Sequence, residues 1–276
     1  MTTRLKIDHV HKTFHSRHRP QEAAFVALAG VTLDVADGEF VTIVGPSGCG
    51  KTSLLELLAG LTRPTGGQIL LDGKPITGPS LDRGVVFQQY ALFPWLTAQG
   101  NVEFGLEAKG VPVRARRGIA LHFLDLVGLA DFARHYPAEL SGGMKQRVAI
   151  ARSLAYDPEV LLMDEPFAAL DAQTREALQC ELLRIWEQSR KTIVFITHGI
   201  DEAVFLGQRV AVMSSRPGTI KHIVPIPSEF KAGEDIRAHP EFGRLRHEIW
   251  HLLHEEVARA RAEEQDKNGR SLALAA

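Results

Sequence analysis

Gly45-Pro46-Ser47-Gly48-Cys49-Gly50-Lys51-Thr52 fits the spacing G-x-x-x-x-G-K-[ST]. Glycines so placed let backbone N–H groups close around an anion, and the lysine and hydroxyl complete a phosphate cradle. The N–H groups of residues 48–52 would wrap the phosphates of a nucleotide. Lys51 would bridge the β- and γ-phosphates, and Thr52 would place its hydroxyl on Mg2+. Far downstream, Leu140-Ser141-Gly142-Gly143-Met144-Lys145-Gln146-Arg147 is a Ser-Gly-Gly turn opening a helix. Its free N–H groups could hold a second anion. One chain therefore carries two phosphate-binding signals.

Val160-Leu161-Leu162-Met163-Asp164-Glu165 is an apolar run ending in two carboxylates. Successive strand residues face opposite sides, so the two acids should have separate tasks. Asp164 suits the Mg2+ shell, and Glu165 suits a general base acting on water beside the γ-phosphate. Acids decorating a helix N-terminus would look the same locally, and the upstream phosphate loop favours the chemical reading. His198 follows the run Thr192–Thr197, at a strand end where its ring could bond a phosphate oxygen. Gln88 follows Val85-Val86-Phe87, where an amide on a movable loop can ligate Mg2+ or water; Gln89 shares that register.

The elements that must position these groups alternate in kind. Leu5, Ile7 and His9 alternate with polar residues, as does Val31-Thr32-Leu33-Asp34-Val35, so residues 5–44 read as strands. A polar insert, His15 to Glu22, lies between them as a loop. Phe40 to Val44 is a buried strand that runs into the phosphate loop. Thr52 to Leu61 follows as an amphipathic helix with Leu54, Leu55, Leu57, Leu58 and Leu61 on its apolar face. Strands are expected at Gln68–Leu71, closed by an Asp72-Gly73 turn, and at Gly84–Phe87. Residues 90–155 read as mainly helical, broken by Pro94, Gly110-Val111-Pro112 and Pro137. Strands at 160–163, 192–197 and 209–214 alternate with helices at 172–188 and 200–206. That order predicts a largely parallel sheet with its site at the carboxyl edge. Ser215-Arg216-Pro217-Gly218 is a turn before a last strand, 220–226. In the tail from about 229, Phe242, Leu245, Ile249, Leu252, Leu253 and Val257 share one helical face, and the last ten residues read as frayed.

Charged residues make up 24% and hydrophobic residues 45% of the 276, as in ordinary globular proteins. The 32 basic and 33 acidic residues leave a net charge of −1, so nothing here predicts a nucleic-acid partner. No run approaches the ~18 apolar residues of a membrane span, and the first residues lack a signal peptide's apolar stretch. The expectation is a cytosolic chain that forms no pore itself. The two cysteines, Cys49 and Cys180, are expected to be free in a reducing compartment. Cys49 lies among the loop's N–H groups beside Lys51, a field expected to lower its pKa and make it the reactive thiol. His247-Glu248-Ile249-Trp250-His251 fits the zinc-protease spacing H-E-x-x-H, but with no returning third ligand it reads as a packed amphipathic helix. His11, His15 and His18 read as solvated loop residues.

The motifs in their order resemble the nucleotide-binding subunit of an ATP-binding cassette transporter, over about residues 5–220. They are Walker A (Gly45–Thr52), the Q-loop (Gln88), the signature (Leu140–Gln146), Walker B (Val160–Glu165), the D-loop (Ala169-Leu170-Asp171) and the switch histidine (His198). The resemblance implies an α/β P-loop NTPase of the RecA-like kind: a mostly parallel sheet core, an N-terminal antiparallel β subdomain and an inserted helical subdomain at about 90–155. The cassette would span 1–228 and a short helical tail 229–276. ATP and Mg2+ are the implied cofactors. Gly45, Pro46, Ser47, Gly48, Cys49, Gly50, Lys51, Thr52 and Ser53 would contact nucleotide in one subunit. Ser141, Gly142, Gly143 and Gln146, with Asp171, would do so across a head-to-tail homodimer. Thr52, Gln88 and Asp164 would hold the metal, and Glu165, His198 and Gln88 would serve the reaction. The adenine-stacking aromatic maps to Phe14, with Phe25 as the alternative.

A finer resemblance is to importers of nitrate, sulfonates and taurine. It rests on Val86-Phe87-Gln88, Leu92-Phe93-Pro94-Trp95-Leu96-Thr97, Asn101-Val102, Ser214-Ser215-Arg216-Pro217-Gly218 and Leu245-Arg246-His247-Glu248-Ile249-Trp250. It implies ATP hydrolysis powering uptake of a small anion, with integral-membrane permease subunits, a solute-binding protein acting indirectly, and a peripheral position on the cytoplasmic face of the inner membrane. Phe93-Pro94-Trp95 is the candidate permease contact, or else an ordinary packed loop. Other readings are a cassette ATPase for another small molecule and one without transport. Repair members carry a long coiled-coil insertion and translation members two cassettes. A simple P-loop kinase leaves Leu140–Gln146 unexplained.

Overall fold

The computed structural model describes residues 2–14, 24–227 and 236–274, with side chains described through residue 259. His15, His18 and the rest of the polar insert lie outside the described residues. Strand β1 (Thr3–Phe14) pairs antiparallel with β2 (Phe25–Ala36). The inward alternation starts at Leu5 and Ile7 as expected but then skips His9. His9 adopts φ 49° within a register shift, and Val10 takes the buried position in its place. A bulge re-aims the strand so that the apolar residue is buried and the imidazole stays outside.

Strand β3 (Phe40–Val44) is buried along its whole length and delivers the chain to helix α1 (Lys51–Leu58). Leu54, Leu55, Leu57 and Leu58 are buried as the spacing predicted. Leu61 is not: the helix stops at Leu58, Gly60 takes a left-handed φ of 75°, and Leu61 is exposed. Next come β4 (Gly66–Leu71) and β5 (Lys74–Pro75), a short partner that the sequence reading missed. Asp72 and Gly73 both have positive φ, the geometry of a two-residue hairpin turn. The first sheet has the order β2-β1-β4-β5.

The second sheet begins with β6 (Arg83–Val86) and continues with β7 (Val160–Asp164), β8 (Thr192–Ile196), β9 (Arg209–Met213) and β10 (Ile220–Pro225). Its order is β10-β9-β3-β8-β7-β6, parallel from β9 to β6 with β10 antiparallel at one edge. Both faces are buried, which is why these strands read as continuous apolar runs. Val41, Ile43, Leu162, Val194 and Ile196 pack toward α1 and the first sheet. Phe40, Val44, Leu161, Met163, Ile193 and Phe195 pack on the other side, toward the remaining helices.

Helices α2 (Ala98–Ala108), α3 (Val113–Leu126) and α4 (Gly142–Ala155) pack together between β6 and β7 in the chain. Helices α5 (Ala172–Ser189) and α6 (Ile200–Leu206) connect the later strands. Helix α7 (Pro240–Leu274) lays Phe242, Leu245 and Ile249 against α6, with Leu252, Leu253 and Val257 half-buried. It is helical to Leu274, within the stretch where fraying was expected. Trp250, expected to pack, is exposed and stacks on His254 at 3.7 Å between ring centroids. His247 and His251 face each other at 2.9 Å between Nε2 atoms, yet no group of three His, Cys, Asp or Glu side chains among the described residues could hold a metal.

One buried amide ties the helical region to the loop before it. Asn101 accepts from Phe93 N–H at 2.8 Å and donates to the carbonyls of Phe93, Leu96 and Thr97. Asn101→Leu fills the space but leaves these groups unpaired. It is expected to cost about 2–3 kcal/mol, read as a lower urea midpoint, and to speed proteolysis at residues 93–97.

Candidate nucleotide site

The phosphate loop leaves β3 at Gly45, where a side chain would meet Cys49 Sγ at 2.7 Å and Met213 Cβ at 3.0 Å. Gly48 and Gly50 adopt φ of 73° and 102°, values that glycine reaches without strain. Lys51 is buried and folds over the loop, its Nζ donating to the carbonyls of Gly45 at 2.8 Å and Pro46 at 3.1 Å. The side-chain ammonium, the free N–H groups of α1 and the Thr52 hydroxyl converge on one concavity of about 330 Å3. Ser47, Gly48, Gly50, Ser53 and Glu165 also line it.

The carboxylates arrive from the neighbouring strand. Asp164 ends β7 and hydrogen-bonds Thr52, while burial pushes its pKa up and the Thr52 bond offsets part of that rise. Glu165 turns away in a left-handed conformation, φ 43°, and its N–H donates to Ile196 O at 2.9 Å. Non-glycine residues held there are strained, a cost of order 1–3 kcal/mol met by the surrounding packing. Glu165 Oε2 lies 3.1 Å from Nδ1 of the exposed His198, which follows β8. The two acids are separated as expected, but by the left-handed turn at Glu165, which lies beyond β7, and not by strand alternation.

Gln88 and Gln89 are both exposed beyond β6, and neither lines the concavity. The aromatic lining it is Phe25, the alternative to Phe14. Phe14 lies alongside, 6.4 Å between ring centroids, with Lys12 Nζ 5.0 Å from its ring. Ser141 caps α4, accepting from Met144 N–H at 3.3 Å, and with Gly142 and Gly143 it stands apart from the concavity. Gln146 is turned inward: it is 0% exposed, and neither its Oε1 nor its Nε2 has a partner among the described residues. Gln146 was expected among the nucleotide contacts; within the single chain its amide faces inward. Asp171 caps α5 through Thr174 N–H at 2.9 Å, and that bond lowers its pKa. A Cβ at Gly143 would strike Thr174 at 2.6 Å, so the Ser-Gly-Gly turn and the start of α5 meet closely.

Sequence reasoning missed Arg216 as a site residue. Its Nε donates to Gly48 O at 2.6 Å, its guanidinium lies 5.0 Å from the Phe25 ring, and it lines the concavity. Gly218 N–H donates to Ala27 O and Ala29 N–H to Gly218 O, both at 2.9 Å. Local sequence carried no signal for it: only the pairing of β9 with β3 brings the turn after β9 beside the phosphate loop.

The expectation for Cys49 is reversed. The thiol points beneath the loop at 1% exposure, and burial pushes its pKa up, outweighing the opposing charge of Lys51. Cys180 is the exposed thiol.

A profile described as ABC transporter matches residues 28–168. An ATP-binding protein of Brucella abortus biovar 1 is 56% identical over 83% of this chain and 88% of its own. The nitrate import ATP-binding protein NrtD of Synechocystis is 51% identical over 84% of this chain and 90% of its own. The taurine import ATP-binding protein TauB of Roseobacter denitrificans is 49% identical over 82% and 86%. Among solved structures, a dimeric ATP-binding cassette in a post-hydrolysis state with ADP and Pi is 37% identical, with TM-score 0.71 over 81% of this chain and 99% of that one. The chain belongs to the ABC transporter family and is an ATP hydrolase of the cassette type.

Burial decides thiol reactivity here. A maleimide is expected to label Cys180 in the folded protein and to reach Cys49 only in denaturant. Peptide mapping reads both; rapid native labelling of Cys49 would show that the loop opens.

Proposed function

We propose that this chain is the ATP-hydrolysing subunit of a membrane importer whose cargo is a small oxyanion, nitrate or a sulfonate such as taurine. The observation that carries the ATPase part is the convergence of Lys51, Thr52, Asp164 and Glu165 at one sheet edge, with the Ser141 turn standing apart. The cargo part rests on the nitrate and taurine import relatives.

The donor set fits a divalent cation with a triphosphate. A hydroxyl and a carboxyl already meet at Thr52 and Asp164, and a buried acid with a raised pKa is relieved by a cation. A magnesium ion bound there would supply charge neutralisation on the phosphates. The loop N–H groups and Lys51 hold the phosphate oxygens, and Arg216 with Phe25, or Phe14 beside it, receives the base and ribose. Glu165 accepts a proton from water, and His198 orients Glu165 and contacts the γ-phosphate. Ser141, Gly142 and Gly143 of a second copy close the site in a head-to-tail dimer, with Asp171 near that seam. Gln88, on the loop beyond β6, follows the state of the site.

Among the described residues no helix is long and apolar enough to cross a membrane. Membrane contact is therefore assigned to a surface. Trp95 is 70% exposed, its ring 5.6 Å from that of Phe93, and Phe93 lies 4.4 Å from the half-exposed Phe104. This aromatic cluster, close after Gln88, is the proposed seat of a permease segment on the cytoplasmic face, the solute-binding protein acting through the permease. The cassette is taken as 1–228, with its helical subdomain at about 90–155, and the tail as 229–276.

Glu165→Gln should keep ATP binding, lower turnover about 10²-fold or more, and accumulate an ATP-bound dimer in size-exclusion chromatography. Lys51→Ala should weaken nucleotide binding itself. Normal turnover in Glu165→Gln would remove Glu165 from the base role.

Mixing Ser141→Arg with Lys51→Ala subunits tests the shared site. Head-to-tail dimers should carry one intact and one doubly damaged site, and recover nucleotide occupancy at half the sites. Mixed dimers without any intact site would exclude the arrangement. Uptake of nitrate against taurine by the reconstituted complex decides the cargo.

A further inference from the structure

Beyond the carboxylate edge, a second and larger cavity of about 550 Å3 opens between α5, α6 and the short turn Ile236–Ala238 that precedes α7. Glu165 and His198 form part of its wall. A continuous hydrogen-bonded chain runs along it. Arg237 Nη2 donates to Gln179 Oε1 at 2.6 Å, and Gln179 Nε2 donates to Glu202 Oε1 at 2.8 Å. The Thr197 hydroxyl donates to Glu202 Oε2, and Gly199 N–H donates to Thr197 Oγ1 at 2.9 Å. Three stretches distant in sequence, around 179, 197–202 and 237, are thereby joined, and the chain ends on the two residues that flank His198.

The enclosure gives this chain its stiffness. Gln179 and Thr197 are buried, and Thr197 N–H also donates to Ile43 O of β3 at 3.1 Å. The Glu202 carboxyl is drawn into the interior, where burial pushes its pKa up and the Thr197 and Gln179 donors pull it back. A polar group so placed loses much if any partner leaves, so the members hold one another in register. Arg237 is itself fixed, its guanidinium 4.3 Å from the Phe205 ring centroid on α6. His198, by contrast, is largely exposed, and its hydrogen bond to Glu165 is formed at the rim. The backbone on either side of it, from which the ring projects, is held by the buried chain.

We propose that Arg237, Gln179 and Glu202 are positioning residues for His198 and Glu165, so that the turn Ile236–Ala238 belongs to the hydrolytic unit. Arg237 acts through Gln179 and Glu202 on Thr197 and Gly199, and so on the His198–Glu165 pair, without touching nucleotide. The inference rests on the placement of His198 and Glu165 at the hydrolytic site.

The test compares steady-state ATP hydrolysis and nucleotide affinity in the full chain. Arg237→Ala and Gln179→Met each break the chain, and each should lower kcat about tenfold with KM and nucleotide Kd within about twofold. Arg237→Lys should recover most of the loss, and the double variant should be no worse than the poorer single one. Arg237→Met keeps the side-chain stem against Phe205 and replaces Arg237→Ala if that variant does not fold. Unchanged kcat in Arg237 and Gln179 variants, with His198→Ala inactive, overturns the positioning role and leaves the site assignment standing. Equal losses in kcat and nucleotide affinity overturn it as well, since they mark general loosening. Full turnover in His198→Ala removes the site assignment and the positioning role with it.

Discussion

The parallel register of β9, β3, β8 and β7 is the constraint on which the chemistry depends. Val44 pairs with Val212, Ile43 with Ile196, and Asp164 with Ile196. The strands therefore end at one level, and the first residues beyond them are Gly45, Ser214, Thr197 and Glu165. Parallel strands buried on both faces cannot slide by one residue without turning apolar side chains to the wrong layer. The register that packs Phe195 and Met163 on one face and Val194 and Leu162 on the other thus also sets the distance between phosphate loop and carboxylates.

Charge at that edge is arranged by burial more than by proximity. Lys51 is enclosed, its ammonium donating to two loop carbonyls. Asp164 is raised by desolvation, while Glu165 reaches the rim and finds His198. Two adjacent acids acquire different surroundings because the chain turns left-handed between them. The same contest decides Cys49, where removal from water outweighs a neighbouring positive charge.

The Ser-Gly-Gly turn belongs to another layer. Ser141 spends its hydroxyl on the α4 cap, and Gly143 lies against Thr174 at the start of α5, where Asp171 caps. These contacts bring two helix N-termini together on one face, apart from the phosphate loop. Arg175 supports it from behind, donating to Phe167 O at 3.2 Å and Leu170 O at 2.7 Å, which holds the loop between Glu165 and Asp171.

Sequence alone determined the phosphate loop, the strand and helix alternation, the doubly buried sheet and the carboxylate pair, because each is written in local spacing. Gly48 and Gly50 announce left-handed backbone, and Val160–Met163 announces a strand covered on both sides. What tertiary structure decided are matters of which side a residue faces and what comes back to meet it. Periodicity could not place the bulge that sends His9 outward and Val10 inward, nor end α1 before Leu61. It could not choose Phe25 to line the concavity beside Phe14, bury Cys49 and Gln146, or bring Arg216 onto Gly48. Gln179, the pair Thr197 and Glu202, and Arg237 are far apart along the chain and carry no common pattern. Their adjacency exists because α5, α6 and α7 cover the same face of one sheet, a condition that no local window of sequence contains.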